Sequence, residues 1–281
     1  MKNAFRFLLT LLAVSMLNNS LTGQTVKPAI KVEKGQKFEY GASVEITSTQ
    51  SMGGQDYSTV VYGTSFSDAV VENILESGEP VITSSNRDIS IKTSIMGIDT
   101  VISMPGQVGP SMQATYNLNG GIIVKETIEN SQASPAMQGF DNSGANSALF
   151  VEFPESGVTI GQTWKIEKTD TVSGNMNGEM QVVSKTSYTL KGTEIIDGTE
   201  CYKVSFTGEI EITGNGNMQG MDIFIEGTGV NEGTTFVKVD NGVIYKTNTD
   251  TEMNLTLALT GAQSMTMPMQ QRMKIEQKLK L

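Results

Sequence analysis

The stretch "EMNLTLALTGAQSMTMPMQQRMKIEQKLKL", Glu252 to Leu281, decides the fold class. Met253, Leu255, Leu257 and Leu259 alternate with polar or small residues. Beyond "TGAQ", Met265, Met267, Met269, Met273, Ile275, Leu279 and Leu281 keep the same odd parity. In an extended strand every second side chain lies on one face. The stretch therefore reads as two half-buried strands joined by a short turn. A hairpin this long needs a larger sheet to lie on.

The same period recurs upstream. "RDISIKTSI" puts Ile89, Ile91 and Ile95 on one face, and "GEIEITG" does so with Ile210 and Ile212. Turn signals stand between such runs: "MGGQD", "NLNGG", "IDGTE", "GNGNMQGMD" and "VDNGV". One segment, "SDAVVENILESG" (Ser67 to Gly78), has an Asp near its start and a Gly at its end, as a capped helix would. Its Val70-Val71 and Ile74-Leu75 pairs suit a strand equally.

An internal repeat organises the chain. Sliding the sequence by 121 positions lays "ILESGEPVITSSNRDISIKT" over "IIDGTECYKVSFTGEIEITG", so that Ile74 meets Ile195, Glu79 meets Glu200 and Ile89 meets Ile210. At the same offset "NGGIIVKE" meets "DNGVIYKT". The openings "KGQKFEY" and "IGQTWKI" match at offset 126, with Phe38 meeting Trp164. One offset over separated blocks reads as a duplication. Each copy is expected to hold about seven strands of ordinary length. The predicted fold is all-β, with few or no helices. It is a large curved antiparallel sheet, or an open or half barrel, built from a duplicated run of strands. The organisation is a signal peptide at 1–23, a first repeat at 24–130, a linker at 131–150 and a second repeat at 151–281. The repeats are expected to form one continuous domain.

The segment 1–23 carries Lys2 and Arg6, a short apolar run from Phe7 to Leu17, and a small-residue exit. These are the parts of a secretory signal, and the run is too short to span a bilayer. Its removal would take the net charge from −10 to −12. The mature chain is expected to be periplasmic or extracellular, without a transmembrane span. With no cysteine near the exit, it is not expected to be a lipoprotein. Its acidity disfavours nucleic acid and anionic surfaces as partners.

The chain has no histidine and one cysteine. That excludes Ser-His and Cys-His nucleophile pairs, His-based metal sites and an internal disulfide. Cys201 sits in the alternating "TECYKVSF" and reads as an inert strand residue. The acids are scattered, and no loop carries the acidic ladder of a calcium site. No catalytic residue, metal site or cofactor is assigned.

The candidate binding residues are those of the apolar face: Met253, Leu255, Leu257, Leu259, Met265, Met267, Met269 and Met273. Methionine is flexible and polarisable, and suits adaptable apolar surfaces. Three readings stand together: packed core, the wall of a ligand cavity, and a Cu(I) clasp. The last is weakened because Met-x-Met sulfurs on a strand sit about 7 Å apart.

"FPESGVTIGQTWKIEKTDT" resembles the strand entry of uncharacterised secreted β-rich bacterial proteins. More distantly it is similar to the periplasmic lipoprotein-carrier half-barrels of the LolA and LolB type. The likeness rests on Pro154, Val158, Gly161 and Trp164. It implies a curved sheet wrapped round an apolar cavity for acyl chains. This chain departs from that family in being longer, duplicated and helix-poor. The expected function is that of a non-catalytic exported protein whose apolar face or cavity binds a lipid or other hydrophobic ligand. The alternative is a structural or interaction protein of the envelope that docks a partner through its sheet.

Overall fold

The computed structural model describes residues 25–52, 54–95, 98–128, 148–174, 178–218, 221–261 and 264–280. The predicted signal segment and most of the predicted linker lie outside these residues. Eleven strands follow one another: β1 (Lys37–Met52), β2 (Gln55–Ile74), β3 (Pro80–Ile95), β4 (Ile98–Tyr116), β5 (Ile122–Ile128), β6 (Thr163–Gly174), β7 (Gly178–Ile196), β8 (Thr199–Met218), β9 (Met221–Lys238), β10 (Ile244–Thr260) and β11 (Met265–Leu279). All belong to one antiparallel sheet, ordered β5-β4-β3-β2-β1-β11-β10-β9-β8-β7-β6. Among the described residues there is no helix, and β5 and β6 do not meet to close a barrel.

The repeat offset lays β1–β5 over β6–β10. Each copy thus has five strands, not about seven, because most strands run 16 to 20 residues. At about 3.4 Å per residue these reach roughly 60 Å. Both copies are simple meanders. β11 lies between them, paired with β1 on one side and β10 on the other. The helix-like segment, Ser67 to Gly78, is the end of β2 and its turn. A register shift between Val71 and Asn73 breaks the period there, which is why its apolar spacing is ambiguous.

The two faces differ in chemistry. One apolar row crosses ten strands in register, from Trp164 on β6 through Phe206, Ile275 and Val44 to Ile102 on β4. Further along the strands, on the opposite face, Glu167, Lys185, Glu209, Val230, Glu252 and Arg272 stand side by side. Alternation in the sequence is thus alternation between a mainly apolar and a mainly charged face.

A single sheet gives large side chains little to pack against. Here they lie across glycines on the neighbouring strand. A Cβ at Gly63 would sit 2.7 Å from Val44 Cγ1, and one at Gly233 would sit 2.5 Å from Phe206 Cζ. In both cases the glycine is the direct cross-strand partner.

The closed core sits at one end of the strands. One cluster joins Phe38, Tyr40, Val71, Ile82 and Tyr116 of the first copy to Val243, Tyr245 and Leu279. A second joins Trp164, Leu190, Val204, Val237 and Ile244 of the second copy. The segment 149–158 feeds both. Leu149 and Phe150 are buried in the first cluster, where Phe150 meets Tyr116 edge-on, with ring centroids 5.1 Å apart. Val151, Phe153 and Val158 enter the second, and Trp164 Nε1 donates to the Glu152 carbonyl at 2.9 Å. The predicted linker therefore ends in core residues. Trp164 and Phe38, matched by the repeat, are both buried anchors. A glycine in the left-handed region shortly precedes each: Gly161 with φ 87° and Gly35 with φ 82°. That region is open to glycine and strained for other residues.

Candidate functional site

β10 and β11 pair so that Leu255 faces Met269, Leu257 faces Met267 and Leu259 faces Met265. Directly opposed residues share a face, so these six form one two-stranded apolar ladder. Met253 and Met273 lie on the same face but are paired with Gln271 and Thr251, which interrupt it. The hairpin turn falls where "TGAQ" places it, between Thr260 and Met265.

β9 extends the patch. Ile223 stands opposite Leu259, Ile225 opposite Leu257, Gly227 opposite Leu255 and Gly229 opposite Met253. Leu255 lies over Gly227, where its Cδ2 takes the space of a side chain, and Met253 Cγ lies 2.8 Å from where a Gly229 Cβ would be. On β8, Ile212 faces Gly227 and Ile210 faces Gly229. The apolar patch thus includes Ile223, Ile225, Ile210 and Ile212, which sequence reasoning left out of the candidate residues. Their alternation was visible in "GEIEITG" and "MDIFIEG". What was missing was the register that sets them beside the leucines.

Burial across the patch is graded. Leu255 is 7% exposed and Ile223 3%, whereas Met265 is 41% exposed. Met253, Leu257, Leu259, Met267, Met269 and Met273 are half-buried. The patch is therefore a partly open apolar surface in which Leu255 and Ile223 are buried. None of the eight predicted residues lines three open depressions found among the described residues, of about 760, 780 and 590 Å³. The first of these is lined by Lys165, Glu167, Lys185, Glu209, Glu252 and Arg272 among others.

Some of the charges on that side are paired. Arg272 holds Asp250 through two hydrogen bonds, 3.0 and 2.7 Å, and lies 3.5 Å from Glu252. Its hydrogen bonding holds the Asp250 carboxyl below the usual carboxylate range. Near the other end, Arg87 pairs with Glu39, Asp68 and Asp88 at 2.6 to 2.8 Å. Cys201 is fully buried, and burial pushes its thiol up to about 11. It is a neutral core residue at physiological pH, as its strand setting suggested.

No family model matches this chain, and no curated protein matches it. Among solved structures it is similar to OccK11 (OpdR) of Pseudomonas aeruginosa, with 7% identity over 90% of this chain and 100% of that one, at a TM-score of 0.22. It is similar to OmpF of Salmonella typhi in complex with daunomycin, with 5% identity over 89% and 99%, at a TM-score of 0.23. It is also similar to a DUF1329 family protein from Desulfovibrio piger, with 10% identity over 85% and 83%, at a TM-score of 0.15. TM-scores this low fix neither topology nor family. The resemblance to lipoprotein-carrier half-barrels finds no support among these structures.

Proposed function

We propose that this is a non-catalytic exported protein, periplasmic or extracellular, whose apolar sheet face binds a lipid or another hydrophobic molecule. The observation that carries the reading is the ladder of Leu255, Leu257 and Leu259 against Met269, Met267 and Met265. Most of it is half-exposed, and beside it lie the Gly227 and Gly229 positions, over which side chains lie flat. Methionines on such a surface can adapt to a chain-like ligand without a fixed shape. A net charge of −10 turns away anionic headgroups, so the apolar portion of the ligand would supply the contact.

A second reading is favoured by the openness of the patch. An apolar surface that is not enclosed also suits a protein partner of the envelope docking on the sheet. Native mass spectrometry of the freshly purified protein separates the two. The ligand reading expects a co-purifying lipid-sized mass, or uptake from a lipid extract, that is lost in Leu257→Gln/Met267→Gln. A clean apo mass with no uptake would overturn it and leave the docking reading.

A further inference from the structure

The repeat makes β6 the counterpart of β1. In the first copy the outer edge of β1 is taken by β11, from Tyr40 opposite Leu279 to Gln50 opposite Met269. β6 pairs with β7 on one side, and among the described residues no strand pairs with its other side. That edge runs from Thr163 to Gly174 without a proline or a bulge. A long regular edge is a template for another strand unless something blunts it. In this fold the equivalent edge already accepts one.

The sequence of β6 points to the occupant. Two identical antiparallel strands are related by a two-fold axis normal to the sheet, and opposed residues must share a face. Centred on Thr169, the pairing runs from Trp164 opposite Gly174 to its mirror image. Lys168 then falls opposite Asp170, twice. Thr169 falls opposite itself, Glu167 opposite Thr171 and Ile166 opposite Val172. Moving the centre by one residue either way sets Lys168 on Lys168 or Asp170 on Asp170. Centring on Glu167 sets it on itself. Like charges directly opposed are unfavourable, so one long register is selected. Asp170 is exposed, and Lys168, 3.1 Å from Glu152, keeps 44% of its side chain exposed. The other edge, β5, is only seven residues long, and centring it on Lys125 or Glu126 stacks like charges.

We propose that two copies of this chain pair edge to edge through β6, antiparallel and centred on Thr169, so that one continuous sheet runs through both.

Sedimentation of the purified full chain is expected to show a dimer. Asp170→Lys opposes two lysines in each half and should weaken the dimer on the order of tenfold or more. Adding Lys168→Asp to that variant restores opposite charges and should restore dimerisation. Thr169→Cys gives a direct reading of register. Opposed Cα atoms lie about 4.5–5.5 Å apart, within disulfide range, so oxidation should yield a covalent dimer. Glu167→Cys should not, because the two copies of that position are about 13 Å apart along the strands. The buried Cys201 does not compete. A monomeric wild type overturns the proposal. So does a dimer that Asp170→Lys leaves intact, or one that Glu167→Cys cross-links as readily as Thr169→Cys.

Discussion

Gly63→Ala tests whether large side chains lean on glycines for want of a second layer. Gly63 is an ordinary strand residue without positive φ, so backbone conformation does not forbid alanine. A Cβ there would meet Val44 Cγ1 at 2.7 Å, and its next neighbour, the Ser90 carbonyl, lies at a comfortable 3.9 Å. The conflict is with one side chain alone. Val44 is β-branched and stiff at χ1, so it cannot swing away cheaply. Overpacking of this kind costs about 1–3 kcal/mol. Against that, replacing a strand glycine by alanine recovers about 0.5–1 kcal/mol of backbone entropy. The net for Gly63→Ala should be a loss of about 0.5–2 kcal/mol, the difference between those two effects. With Val44→Ala in place the collision is gone and only the entropy gain remains. Gly63→Ala should then stabilise by about 0.5–1 kcal/mol. Urea unfolding of wild type, both single variants and the double variant, at unchanged m, gives the four free energies of the cycle. The sign of Gly63→Ala must reverse between the two backgrounds. The same sign in both would refute the glycine-shelf account.

Other outcomes follow from the same geometry. Leu257→Ala, half-buried on the open patch, should cost about 1–2 kcal/mol, since it loses part of its transfer energy and leaves no closed cavity; by the same urea assay Leu190→Ala, fully buried in the second cluster, should cost about 3–5 kcal/mol. In dilute peroxide, peptide mapping should find Met265 oxidised before Met267 and Met269, following exposure. Lys280 and Arg87 lower the Glu39 pKa, and the Gly106 amide and Arg87 lower that of Asp88. A depressed folded-state pKa adds stability above the unfolded value, near pH 4, which is lost as pH falls through the folded value. Thermal melts of Arg87→Met should therefore show a shallower fall in stability below about pH 4 than wild type. Tyr40 donates to the Ile244 carbonyl at 2.6 Å, across β11 and beside the β10 register shift. Tyr40→Phe should cost about 1–3 kcal/mol in urea unfolding by leaving that buried acceptor unpaired.

Strand alternation was legible because one face of this sheet is mainly apolar and the other mainly polar or charged. Ile89 and Ile91, Ile210 and Ile212, and the Leu255–Leu259 run each announced an apolar side, and the structure uses all of them so. Strand length was not legible, because glycine served two purposes. In "IDGTE" and "VDNGV" it marks turns, and Asp197-Gly198 and Gly242 sit there with positive φ. In "EGTGVNEG", Gly227, Gly229 and Gly233 lie inside β9 beneath Leu255, Met253 and Phe206. Period and turn signals cannot separate the two, since the deciding partner sits on another strand. The same limit hid Ile223 and Ile225 from the patch. The shared parity of the leucines and methionines was enough to place those six together, because a two-strand hairpin carries its own register.

The place of β11 has a consequence for how the chain comes together. Among the described strands every other pair joins neighbours in sequence, so each five-strand meander can assemble from local hairpins. The pairing of β1 with β11 instead joins residues more than 200 positions apart, such as Tyr40 and Leu279. Contacts that distant close late and slowly. A ribosome delivers β11 after β1–β10, so both meanders must wait with an unpaired edge, β1 on one and β10 on the other. A chain stopped short of Met265 would keep those edges permanently. The seam is therefore where translation, and not local propensity, sets the moment of completion, and where an interrupted chain would be most prone to aggregate.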